Sequence, residues 1–245
     1  MDWITPDWPA PLNVKAISTT RSGGFSRAPY DSLNLGDHVG DDPAVVAENR
    51  ECLAKTMAMP RSPAWLNQIH GTEVVTLPLS CVQVPDADAS FTDAQGEVCV
   101  VMTADCLPVL FCNEEGTQVA AAHAGWRGLV NGVLEQTLSH FDDSSKVMAW
   151  LGPAIGPSAF EVGGEVREQF IAHDEGSGIA FTAHNDRWLA DIYLLARRRL
   201  AAAGITQVYG GDLCTVSEPT RFFSYRRESV TGRQATCIWI SSENR

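Results

Sequence analysis

Residues 98–128 read VCVVMTADCLPVLFCNEEGTQVAAAHAGWRG. Three apolar runs stand in that stretch, at 98–102, 109–112 and 119–122. Each is too short for a helix and is bounded by turn residues, so each predicts a buried strand. Polar side chains gather at the strand ends: Asp105 and Cys106 follow the first run, and His123 closes the third, just before the Gly125-Trp126-Arg127-Gly128 turn. With the strands as neighbours in one sheet, the Cys106 thiol and the His123 imidazole meet at one edge.

Downstream, Leu129, Val130, Val133, Leu134 and Leu138 recur at helical spacing, so the Gly125 to Gly128 turn opens a helix packed on the sheet. Its free N–H groups, with Arg127, make an anion site beside His123. Residues 147–151 predict another buried strand, closed by the rigid GPAIGP turn. Helices are expected at 161–173 and 187–203, the second carrying Arg197 to Arg199 on a solvated face and ending at a Gly204 cap. Strand material follows at 208, 212–215 and 235–240, and Ser224-Tyr225-Arg226-Arg227 reads as an arginine-bearing loop that could face a ligand.

Upstream, residues 14–20 predict a strand leading into Thr20-Arg21-Ser22-Gly23-Gly24. That loop offers either backbone amides and a guanidinium to a phosphate or simply a turn with a solvated arginine. Pro43 opens a helix to about residue 57, with Val45, Val46, Cys52 and Leu53 on its apolar face and Asn49 and Arg50 on or beside its polar one. A short strand at 65–69 delivers His70 to a loop, a third candidate beside Cys106 and His123. His38 is a neighbour without an assigned role, and Trp65 and Trp126 serve packing or base stacking. Two carboxylates can orient imidazoles here. Asp105, adjoining Cys106, is the better placed, and Asp88 is the weaker choice.

The chain of 245 residues is 44% hydrophobic and 20% charged, an ordinary globular balance able to bury a large core. A net charge of −12 repels a polyphosphate backbone and argues against nucleic acid as a partner. No basic segment followed by an apolar run opens the chain, and no apolar run reaches spanning length, so the expectation is a cytoplasmic protein that does not enter membranes. Seven cysteines, an odd number without a CxxC, suit reduced thiols better than a disulfide framework. Cys52, Cys81, Cys99, Cys112, Cys214 and Cys237 are read as packing or surface residues. Strands alternate with helices, and neither GxGxxG nor GxxxxGK[ST] occurs. The expected fold is therefore α/β, a layered mixed β-sheet with flanking helices, in one domain over residues 1–245.

Gln68-Ile69-His70-Gly71, Ala104-Asp105-Cys106-Leu107-Pro108-Val109-Leu110 and His123-Ala124-Gly125-Trp126-Arg127-Gly128 together resemble the YfiH family, also called the laccase-domain or multicopper polyphenol oxidase family. Thr20-Arg21-Ser22-Gly23-Gly24, Ser32-Leu33-Asn34-Leu35-Gly36, Gly152-Pro153-Ala154-Ile155-Gly156-Pro157 and Phe223-Ser224-Tyr225-Arg226-Arg227 extend the resemblance over nearly the whole chain. It implies that His70, Cys106 and His123 ligate a metal. Two imidazoles and a thiolate suit Zn²⁺ and leave one coordination position for water or substrate. The laccase label does not fit a four-copper site, because the chain has six histidines and no His-x-His. A single Cu²⁺ would still compete for the triad in vitro and give weak polyphenol oxidase activity.

The resemblance further implies phosphorolysis of adenosine, inosine and 5'-methylthioadenosine, with adenosine deamination as a second activity. The partners would be a nucleoside and phosphate, with no obligate protein partner. Arg21, Arg127 and Arg226 are the candidate phosphate clamps, assisted by Ser22 and the Gly23 and Gly24 amides. The alternative is a cysteine hydrolase or amidase, in which Cys106 is the nucleophile, His123 the base and Asp105 or another polar group the orienting residue. The family's fold resembles a bacterial toxin deamidase, and its name peptidoglycan editing factor points to peptidoglycan precursors as substrates.

Overall fold

The structure, a computed structural model, describes residues 1–80 and 83–242; Cys81 lies outside them. Strands β1 (Trp3–Ile4) and β2 (Val14–Thr19) come first, followed by helix α1 (Pro43–Thr56), where Asp42 accepts the Ala44 amide and Pro43 takes the first turn. Next come β3 (Val74–Thr76), β4 (Ala89–Thr92), β5 (Val98–Thr103), β6 (Leu107–Asn113) and β7 (Val119–Ala124). Helices α2 (Trp126–Asn131) and α3 (Val133–Leu138) replace the single helix expected after Trp126. Gly132 breaks it at φ +100, a conformation open to glycine without strain. The chain continues with β8 (Val147–Leu151), β9 (Glu161–Val162), α4 (Gly164–His173), β10 (Phe181–His184) and β11 (Arg187–Ala190). It closes with α5 (Ile192–Ala202), β12 (Val208–Gly210), α6 (Tyr225–Glu228) and β13 (Gln234–Ile240).

Two sheets form the body. One runs β1-β2-β13-β5, and the other, mixed, runs β12-β8-β6-β7-β4-β3. The three central runs are therefore not neighbours in one sheet. β5 pairs with β13, whereas β6 and β7 pair with each other, so the chain crosses between sheets at residues 104–106, where Asp105 takes φ +98. Side-chain alternation explains why every residue of β5, β6 and β7 is buried. Cys99, Val101, Leu110, Cys112, Val119 and Ala121 fill the space between the sheets. Val109, Phe111, Ala120 and Ala122 face Leu129, Val133, Leu134, Leu195 and Leu200 on the helices. Val98 and Val100 meet Leu33, Leu35 and Leu53 on the far side. Each such leucine, fully buried, contributes about 1.5–3 kcal/mol.

Several local expectations give way to side-chain chemistry. Asn49 is buried, not on the polar face of α1. Its Oδ1 accepts the Phe25 amide at 2.8 Å, and its Nδ2 donates to Ser26 Oγ at 2.9 Å and to the Asn34 carbonyl at 2.8 Å, pinning the loop after β2. Residues 65–69 form no strand. Instead the Gln68 side chain bonds both backbone groups of Met102, at 2.7 and 2.8 Å, and holds this segment against the end of β5. The helix expected from residue 187 starts at Ile192, because Asp191 caps it through the Leu194 amide while residues 187–190 pair with β10. Arg197, Arg198 and Arg199 are not merely solvated: they bind the Val208 and Gly210 carbonyls, Asp174 and Glu135 respectively. The helix at 161 begins instead at Gly164, since Glu161 and Val162 pair with β11. Residues 212–215 make only one bridge, Cys214 to Ala154, and Ser224 caps the short α6 where a loop was expected.

Candidate metal centre and its cavity

His70, Cys106 and His123 converge. Their ligand atoms all lie within 4.8 Å of one another, with Cys106 Sγ 3.9 Å from His70 Nε2. The rings of His70 and His123 meet edge to face with centroids 4.8 Å apart. Three elements bring them together. Antiparallel pairing of β6 with β7 sets Pro108 opposite His123 and so carries Cys106, just before β6, to the same end. His70 arrives on the loop that Gln68 anchors, at φ +60. Gly125 follows β7 in the middle of the group, and a Cβ there would stand 3.0 Å from Cys106 Sγ and 3.1 Å from His70 Cδ2. The close approach of thiol and imidazoles therefore depends on that missing side chain.

The carboxylate that organises the group is Asp88, not Asp105. Asp88 is fully buried, and its Oδ1 accepts His123 Nδ1 at 2.8 Å and the His70 amide at 2.9 Å. Its Oδ2 accepts the Gly71 amide at 2.6 Å and the Ile69 amide at 3.2 Å. One side chain thus shapes the His70 turn, orients the His123 ring and leaves His123 Nε2 free as a ligand. Burial alone would raise the Asp88 carboxyl, but the His123 contact and these amides outweigh it and hold it low. Asp105 turns the other way. Its carboxylate accepts the Thr215 hydroxyl and the Arg226 amide, both at 2.6 Å, tying the crossover to the loops beneath α6.

Charge inside the group is strongly coupled. Burial pushes the Cys106 thiol up, but the charge and hydrogen bonds of His123 and His70 overcome it and bring it down to about 6. Burial would lower His123, yet the Cys106 thiolate and the Asp88 carboxylate raise it to about 9. Cys99 and Cys112, buried without such partners, are pushed up to about 12 and stay neutral. Thiolate character therefore belongs to Cys106 for an environmental reason.

The group opens on a cavity of about 240 Å³ lined also by His38, Gln68, Met102, Thr103, Tyr225 and Arg233. A larger cleft of about 740 Å³, walled by Trp3, Trp8 and Trp239, is lined by no histidine, cysteine or carboxylate among the described residues, so the chemistry points to the smaller one.

A family model described as multi-copper polyphenol oxidoreductase laccase matches residues 15–241. The purine nucleoside phosphorylase YfiH of Escherichia coli strain K12 is 58% identical over 238 residues, covering 97% of this chain and 98% of that protein. The chain belongs to this laccase-like YfiH family. A purine nucleoside phosphorylase of Pseudomonas aeruginosa is 55% identical, with 97% and 98% of the two chains covered. The crystal structure of a Neisseria meningitidis protein of family DUF152 superposes with a TM-score of 0.95 at 50% identity, covering 99% of this chain and 100% of that one. The layered α/β fold is thus that of solved YfiH-family relatives.

Within this YfiH-family chain, the arginines singled out from sequence are not brought to the cavity. Arg21 is spent on Glu228 at 2.8 Å and on the Asp31 and Pro219 carbonyls, each at 3.0 Å. The Gly23 and Gly24 amides bind Ser32 Oγ, and Ser22 lines a separate cleft with Arg21. Arg127 is exposed and stacks on Trp126, 4.4 Å from its ring centre. Arg226 donates to the Glu161 carbonyl at 2.9 Å. The cation on the cavity wall is Arg233, whose sequence context, Thr231-Gly232-Arg233-Gln234, carries no motif that would have singled it out. No helix among the described residues is long and apolar enough to cross a membrane.

Proposed function

We propose that the protein is a zinc-dependent purine nucleoside phosphorylase acting on adenosine, inosine and 5'-methylthioadenosine, with adenosine deamination as a second activity. The observation that carries this reading is the convergence of His70, Cys106 and His123 within 4.8 Å at the mouth of a small-molecule cavity. The names of the relatives support the purine nucleoside phosphorylase part of it. The donor set fits zinc: two imidazoles and a thiolate are ordinary zinc ligands and leave a position open, the extra proton of His123 being released as the metal binds. When bound, zinc supplies Lewis acidity toward an oxygen atom in the open position. Asp88 fixes the His123 tautomer through Nδ1, and Gly125 leaves room for all three ligands.

In phosphorolysis a phosphate oxygen bonds to the anomeric carbon as the carbon–nitrogen bond to the base breaks, and the departing base takes a proton. The test is product analysis with adenosine, with and without phosphate. Adenine and ribose 1-phosphate in equal amounts, formed only with phosphate, are expected. Free ribose formed at the same rate without phosphate would refute the assignment.

A second reading draws on the Cys106, His123 and Asp88 arrangement, which is also that of a cysteine hydrolase, here with peptidoglycan precursor amides as substrates. The thiol brought to about 6 favours it. It requires metal-stripped protein to cleave amides, with the activity abolished by thiol alkylation and unaffected by added zinc.

A further inference from the structure

Buried charges are answered by partners, and a cation left without one at a cavity wall marks where an anionic ligand sits. Arg233 is such a cation. It is half-buried, just before β13, and its Nη1 donates only to the Thr231 and Gly232 carbonyls, both at 3.0 Å. Among the described residues it is the only lysine or arginine lining the cavity of the metal-ligand group. Other guanidiniums nearby are paired: Arg50 with Asp37 at 3.3 Å, Arg21 with Glu228 at 2.8 Å, Arg227 with Glu228 at 3.1 Å. Among the described residues no carboxylate forms an ion pair with Arg233; the groups that reach it at longer range are Cys106, Asp105 and Tyr225, and its own charge acts on His38. Asp105 is already bound by Thr215 and Arg226, and Cys106 belongs to the metal-ligand group.

The backbone places this cation deliberately. Gln234 pairs with Thr103, so Arg233 and the end of β5 lie at the same edge of the sheet. The Arg233 amide binds Asn34 Oδ1 at 2.9 Å, and its stem packs on Gly36, where a Cβ would stand 2.7 Å from Arg233 Cγ. On the same wall the Thr103 hydroxyl is buried with no hydrogen-bond partner among the described residues.

We propose that Arg233 is the phosphate-holding residue of the cavity, facing the His70, Cys106 and His123 group across the space where the nucleoside sugar sits. This deepens the phosphorylase reading and rests on it. Arg233 binds the anion through its free guanidinium N–H groups and keeps the attacking oxygen beside the sugar. Arg21, Arg127 and Arg226 do not share this role, since the first and last are committed elsewhere and Arg127 is exposed outside the cavity.

The test compares Arg233→Gln and Arg233→Lys with the wild type in zinc-loaded protein, after melting curves and metal content show both variants folded and charged. Arg233→Gln is expected to raise the phosphate KM about 10–100-fold, the range for losing a charge-assisted contact, with the nucleoside KM unchanged. Arg233→Lys is expected to recover part of that loss. A phosphate KM in Arg233→Gln equal to that of the wild type overturns the proposal. Calorimetric titration with inorganic phosphate, without nucleoside, separates the two readings. If the wild type cleaves adenosine without phosphate, the phosphorylase reading fails, while phosphate binding that disappears in Arg233→Gln still upholds the anion site. Equal phosphate binding by both proteins, or by neither, overturns it.

Discussion

Two charged clusters in this molecule, one around Glu228 and one around Cys106, differ in composition and in outcome. Around Glu228, every charge is answered: its carboxylate takes Arg21 at 2.8 Å, Arg227 at 3.1 Å and the Thr231 hydroxyl at 2.5 Å, while Arg227 also holds the Thr215, Val216 and Phe222 carbonyls. Around Cys106, a thiolate, two imidazoles and Arg233 face a cavity with valences left over. The first cluster fastens the loop after β2 to the segment around α6. The second is costly to keep in that state, and such unspent capacity is what a binding site needs. Charge in the sequence does not mark a site; ligand-binding capacity left unspent by the fold does.

The contrast can be broken most severely at Cys106. Cys106→Ser and His123→Ala should each lose zinc and drive phosphorolysis below detection, which metal analysis and a steady-state assay would show. Next comes the carboxylate behind the ligands. Asp88→Asn should lower zinc affinity or activity about 10–100-fold. Asp105→Asn should instead lower the melting temperature and leave zinc content unchanged, because its partners are Thr215 and Arg226. Gly125→Ala should weaken zinc binding by less, as its Cβ would press on Cys106 Sγ and His70 Cδ2; competition with a chromogenic chelator measures this.

The smallest effects belong to the satisfied cluster. Arg21→Gln should cost about 1.5–3 kcal/mol of stability, the worth of a hydrogen bond to a charged group, with the phosphate KM unaltered. Its pH behaviour follows from Glu228. Burial raises that carboxyl, but Thr231, Arg21 and Arg227 outweigh it and hold it below its ordinary value. Its stabilisation is therefore complete above the ordinary glutamate range and is lost as pH falls through the lowered value. Denaturant melts of wild type and Glu228→Gln should accordingly converge toward acid and diverge toward neutrality.

Much of this was legible in the chain. The runs at 98–102, 109–112 and 119–122 became strands because apolar segments of that length between turns have few other fates, and His70, Cys106 and His123 stood at strand or loop ends with chemistry that packing does not need. What stayed hidden was relational. That β5 and β6 belong to different sheets depends on β13, more than a hundred residues away, pairing with β5. Asp88 carries little local signal because its four bonds come from residues 69, 70, 71 and 123, whereas Asp105 adjoins Cys106 in sequence. Arg21 looked like a phosphate clamp because a glycine-bearing loop surrounds it, and only the fold reveals Glu228 beside it. Arg233 has no local signal at all: its meaning lies in having no carboxylate partner among the described residues.

X-ray absorption at the zinc edge tests most directly whether His70, Cys106 and His123 meet at one ion. Purified protein should hold about one zinc per chain, with one sulfur near 2.3 Å and two nitrogens near 2.0 Å in its shell, and the sulfur should vanish in Cys106→Ser. A shell without sulfur in the wild type, or one unchanged in that variant, would contradict it.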